Sequence, residues 1–132
     1  HLDIKPQSCP NSLNVNSGGT LPTAILGTEA FDVTGVDPAS IRLEGVAPVK
    51  WSYEDVAEPY VSIAGKENCG DCTEAGADGF MDLTLKFKKQ DVSAALSAVQ
   101  DGEARVLKLT GKLTDGTEIQ GEDVVCILKK RN

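Results

Sequence analysis

The sequence is poor in the residues on which most small-domain catalysis rests. Its one histidine is His1, so neither a Ser-His-Asp nor a Cys-His pair can be assembled within the body of the chain. A copper site at His1 would lack the usual second imidazole, and His1 reads as the first residue of a processed protein or an excised module. Basic residues are outnumbered, 13 Lys and Arg against 20 Asp and Glu, for a net charge of -7. Such a chain repels a phosphate backbone, which argues against nucleic acid and anionic membrane as partners. No apolar run approaches the length of a membrane span. Aromatics are few: Trp51, Tyr53, Tyr60 and three Phe. The core must therefore be built from Val, Ile, Leu and Ala.

What is present is ordinary for a folded domain. With 132 residues, 40% hydrophobic and 25% charged, residues 1–132 are expected to form a single module with its own core. Four cysteines, Cys9, Cys69, Cys72 and Cys126, read as one or two disulfides of an exported protein. A four-cysteine zinc site is the competing reading, because Cys69-x-x-Cys72 has ligand spacing, but Cys9 and Cys126 form no second knuckle. Redox catalysis would want the Cys-x-x-Cys pair at a helix start, and here it lies in a Gly-, Asn- and Asp-containing run.

Along the chain, short alternating segments separated by turn signals predominate. Leu2 to Ile4, ending before Pro6, suits an edge strand, and 7–19 reads as a structured loop. Leu21 to Leu26 reads as a strand whose Pro22 argues for an edge or strand-start position. Val33 and Val36 are expected to anchor the following loop, and Asp37-Pro38 to cap a turn. Strands follow at Ile41 to Val46 and around Val49 to Val56, the second with Trp51 and Tyr53 on one face. Residues 57–77 form an inserted irregular loop, with one short strand expected at Tyr60 to Ile63. Leu83 to Phe87 is the clearest strand. Val92, Leu96 and Val99 then recur at helical spacing over 89–100. Ala104 to Leu113 and Thr117 to Leu128 alternate around Asp115-Gly116, a hairpin. About eight strands and one short helix make an all-β, antiparallel β-sandwich. In a sandwich distant strands can be neighbours, so Cys9 with Cys126 is the expected long-range bridge, and a local Cys69–Cys72 bridge would stiffen the loop tip.

One acidic stretch stands out. Asp78-Gly79 with Asp82 three residues on resembles the turn of a calcium loop, or else is a plain Asp-Gly hairpin turn. A twelve-residue calcium loop is not present, since Gly76 and Leu85 fall where ligands belong. Calcium would need recruits, and Glu54 and Asp55 at the other lip of the insert are the candidates.

Asp3-Ile4-Lys5-Pro6, Asn11-Ser12-Leu13-Asn14, Gly19-Thr20-Leu21-Pro22-Thr23-Ala24-Ile25-Leu26-Gly27 and Val36-Asp37-Pro38 together resemble a module of many bacterial secreted and surface proteins. In that module a continuous E-D-V-N-G-D-G-x-x-D motif follows. Here Glu54-Asp55-Val56 and Asp78-Gly79-Phe80-Met81-Asp82 look like its two halves, separated by about twenty residues. The resemblance implies an extracellular accessory β-sandwich without assigned catalysis, and a calcium cluster using Asp55, Asp78 and Asp82.

The expected function is thus a noncatalytic extracellular module that holds calcium and mediates attachment to polysaccharide or a surface protein, as a monomer. Trp51, Tyr53 and Tyr60 are the candidate ligand-stacking residues, unless Trp51 and Tyr53 prove to be core. A structural spacer stabilised by disulfides is the alternative. A small hydrolase or lyase using carboxylates ranks third, since it needs an acid with a raised pKa opposite another acid.

Overall fold

Among the described residues eight strands pair into two four-stranded sheets, and their buried side chains supply one aliphatic core. The computed structural model describes residues 2–4, 11–56, 69, 76–77, 79–96 and 98–129. Of the insert over 57–77, Cys69, Gly76 and Ala77 are among them; the strand expected at Tyr60 to Ile63 lies outside. The strands are β1 (Leu2–Ile4), β2 (Ser12–Asn14), β3 (Thr20–Ile25), β4 (Val36–Leu43), β5 (Lys50–Glu54), β6 (Asp82–Lys88), β7 (Ala104–Leu113) and β8 (Glu118–Leu128), with a helix α1 (Lys89–Ala95) between β6 and β7.

The first sheet runs β1-β3-β6-β5, antiparallel throughout. The second runs β2-β8-β7-β4, and its β2–β8 pair is parallel. Leu83, Leu85 and Phe87 of β6 face Ile41, Leu107, Leu109 and Ile127 in one buried cluster. Among the described residues Phe87 is the only aromatic in the buried core, in line with the sparse aromatic content. Val92 of α1 is fully buried and closes one end of that core. Val33 and Val36 are likewise buried, anchoring the loop before β4 as expected.

Four features depart from the sequence reading. The run read as loop over 7–19 contains β2, whose three residues pair with Cys126, Ile127 and Leu128 of β8. Leu13 earns its place there by complete burial, a tertiary effect that no three-residue pattern reveals. Second, β3 is internal rather than an edge. Pro22 is the third residue of β3, near the strand start, where the sequence reading also allowed it. Third, α1 stops at Ala95, and Leu96 is already extended (φ -81, ψ 140) although the apolar spacing continues to Val99. Leu96 and Val99 still pack against the core, so the spacing reflects burial rather than helix. Fourth, Asp37-Pro38 lies within β4, where the register to β7 breaks between Asp37 and Arg42; the Asp37 carboxylate accepts from the Ala39 N–H at 3.1 Å, the expected local turn.

The 113–117 hairpin turn is as read. Gly116 has φ 91, and the Asp115 carboxylate accepts from the Thr117 N–H at 2.9 Å.

Candidate functional site

The strand ends nearest the acidic motif meet at the start of β6, the strand between β3 and β5. Asp82 is fully buried there. One carboxylate oxygen accepts from the Gly27 N–H at 2.8 Å and the other from the Val56 N–H at 2.9 Å. Gly27 immediately follows Leu26 past β3, and Val56 follows β5 by two residues. A single side chain thus fastens the exits of both neighbouring strands to β6. Only glycine suits position 27, because a Cβ would run into the Met81 carbonyl oxygen. Ala24, Leu26 and Val56 form a small second cluster beside this clamp.

Asp55 performs a related task. Its carboxylate accepts from the N–H of Gly79 at 2.7 Å, and Gly79 adopts φ 93. The two halves of the split acidic motif are therefore together in space, joined by carboxylate-to-amide hydrogen bonds. Glu54 is exposed and stands opposite Asp82 in the β5–β6 register. Asp78 lies outside the described residues.

Two of the four carboxylates expected to hold calcium already serve backbone amides. Both Asp82 oxygens are engaged by backbone amides in a place closed to solvent, and Asp55 gives an oxygen to Gly79. Among the described residues no cluster of three or more His, Cys, Asp or Glu could hold a metal ion. Calcium takes six to eight oxygen ligands, and of the four expected carboxylates Asp78 lies outside the described residues.

A second buried carboxylate, Asp123 of β8, went unnoticed in the sequence. One of its oxygens accepts from the Ile4 N–H at 2.7 Å and from the Asn11 side-chain amide at 3.0 Å; the other accepts from the Val124 N–H at 2.9 Å. It ties β1 of the first sheet to β8 of the second. The alternation of β8 places acids at 118, 122 and 123, and nothing in that pattern singles out the buried one.

Among the described residues a disulfide joins Cys69 to Cys126, with Cα atoms 5.2 Å apart. This corrects the expected Cys9–Cys126 and Cys69–Cys72 pairings. Cys126 sits on β8, so the bridge ties Cys69 to the second sheet. Cys9 and Cys72 lie outside the described residues. Among the described residues no helix is long and apolar enough to cross a membrane.

Trp51 and Tyr53 are not core. They stand opposite Leu85 and Leu83 of β6, on the core-facing side of the sheet, but among the described residues β5 is its outermost strand. Both side chains protrude past the sandwich, 45% and 41% exposed, and Val49 beside them is 62% exposed. Phe80 and Met81, which follow the Gly79 amide held by Asp55, are exposed as well. Tyr60, the third expected stacking residue, lies outside the described residues. On the other face of β5, the Ser52 and Thr84 hydroxyls are 2.7 Å apart. No known protein family and no curated protein matches the chain.

Proposed function

We propose that this chain is a noncatalytic, disulfide-locked β-sandwich module of an exported protein, and that it attaches to its partner through the β5 edge. The exposed row Val49, Trp51 and Tyr53 carries the reading, because a contiguous apolar strip on an edge strand is costly to leave in water and marks an interaction surface. The Cys69–Cys126 bond supports an oxidising compartment. The buried carboxylates support a noncatalytic role, since Asp82 and Asp123 are engaged by backbone amides and not aimed at a cleft. Those same clamps favour the second reading, a rigid spacer. The attachment reading includes no calcium step.

Trp51 is the only tryptophan, so its fluorescence reports directly on the proposed surface. Acrylamide quenching is measured against soluble β-glucan, xylan and chitin oligosaccharides, and against increasing concentration of the protein itself. Protection of Trp51 by one of these supports attachment. Unchanged quenching throughout rejects it and leaves the spacer.

A further inference from the structure

Each sheet has two edges, and three of the four carry devices that discourage further strand pairing. The strand β2 and the described part of β1 are each three residues long. The fourth strand contains Pro38 and breaks register between Asp37 and Arg42. By contrast β5 is straight, pairing residue for residue from Lys50↔Lys86 to Glu54↔Asp82, with all five residues exposed. Among the described residues its only pairing partner is β6.

The sequence of β5 is Lys50-Trp51-Ser52-Tyr53-Glu54, and its chemistry is self-complementary when reversed. Laid antiparallel on a second β5 about a two-fold axis at Ser52, Lys50 meets the second copy's Glu54 and Trp51 meets the second copy's Tyr53. The axis repeats both contacts. Opposite charges and aromatic pairs directly across an antiparallel ladder are the favourable cross-strand pairs.

The charges within one molecule point the same way. Lys50 faces Lys86 on β6, and Glu54 faces Asp82. Like charges directly opposite are unfavourable. A second copy would bring a carboxylate to the Lys50–Lys86 end and an ammonium to the Glu54–Asp82 end.

We propose that the partner of the β5 edge is a second copy of this chain, forming a two-fold dimer whose first sheets join into one eight-stranded sheet. This deepens the attachment reading and rests on it. The contact is isologous, so it closes at two copies and does not propagate into fibres. It covers the exposed aromatics and gives the outward main-chain groups of β5 their partners.

Charge reversal tests it by sedimentation equilibrium from micromolar to millimolar protein. Wild type is expected to dimerise reversibly, less tightly in high salt. Lys50→Glu and Glu54→Lys should each weaken the dimer about tenfold or more, because two symmetry-related pairs turn repulsive at once. Neither reversal endangers the fold, since each sets an opposite charge against Lys86 or Asp82. An equimolar mixture of the two variants should restore association as a heterodimer, and the Lys50→Glu/Glu54→Lys double variant should restore the homodimer. A wild type that stays monomeric throughout overturns the proposal, as does a dimer insensitive to both reversals or a mixture that fails to recover. Monomeric protein whose Trp51 is nevertheless protected by a polysaccharide would overturn the second copy as partner while sparing the attachment reading.

Discussion

Replacing Asp82 with Ala should be among the most damaging single changes in this fold. The substitution removes two hydrogen bonds to a buried carboxylate, at 2.8 Å from Gly27 and 2.9 Å from Val56, and leaves both amides to find other acceptors. Hydrogen bonds to charged groups contribute about 1.5–3 kcal/mol each, so the expected loss is about 3–6 kcal/mol. That is a large share of the roughly 5–15 kcal/mol by which domains are stable. For a chain of this size it corresponds to a drop of about 10–20 °C in Tm. Asp82→Asn keeps the shape and one acceptor but turns an NH2 group toward the second amide, and should lose about half as much. The assay is urea unfolding followed by near-ultraviolet circular dichroism, with hydrogen exchange at Gly27 and Val56 as the local readout. Asp37→Ala serves as control, because its carboxylate makes an exposed local bond at 3.1 Å. If Asp82→Ala unfolds within experimental error of wild type and both amides stay protected, the carboxylate is not the clamp described.

Non-reducing peptide mapping should recover Cys69 linked to Cys126, and Cys126→Ser should cost about 4 kcal/mol in the loop-entropy account for a separation of 57 residues; recovery of a Cys9–Cys126 link would refute the pairing. Millimolar calcium added to chelator-treated protein should leave Tm unchanged, given the engagement of Asp82 and Asp55; a rise abolished by Asp82→Asn would refute this. Acid should weaken the fold through three exposed carboxylates held below the usual range: Asp32 by the Thr34 hydroxyl, Glu103 by Arg105 and Asp115 by the Thr117 hydroxyl. A lowered folded pKa gives stability that is present above the unfolded value and lost as pH falls through the folded one. The urea midpoint should therefore decline below the ordinary carboxylate range, and the triple variant Asp32→Asn/Glu103→Gln/Asp115→Asn should flatten that decline. An unchanged acid limb in that variant would refute the assignment.

The strands legible in the sequence are those whose own alternation is long enough to show which face is buried. The seven residues of β6 and the β7–β8 hairpin are of this kind. The shared face of Trp51 and Tyr53 was legible as well, but not its exposure. Which face is buried depends on the strand's place in the sheet, and β5 is an edge. Residues whose role is set by a distant partner were not legible. Leu13 is in a strand because β8 lies beside it, and Cys126 meets Cys69 across a separation of 57 residues. The acids were the hardest to assign. A carboxylate that binds a cation and one that fastens backbone amides look alike in sequence, and the amide-fastening role of Asp82 shows only where Gly27 and Val56 arrive at it.

The parallel pairing of β2 with β8 also fixes the order in which the molecule can be completed. Ser12 finds Cys126 across more than a hundred residues, and Asp123 of β8 holds the Ile4 amide. During synthesis at about 5–20 residues per second, the N-terminal strands wait roughly 6–25 s for their partner to emerge. The second sheet cannot close until then, and contacts this distant in sequence place the fold among slow folders. A chain truncated before β8 would lose the parallel pair, the Asp123 clamp and the disulfide together, so one late strand carries all three.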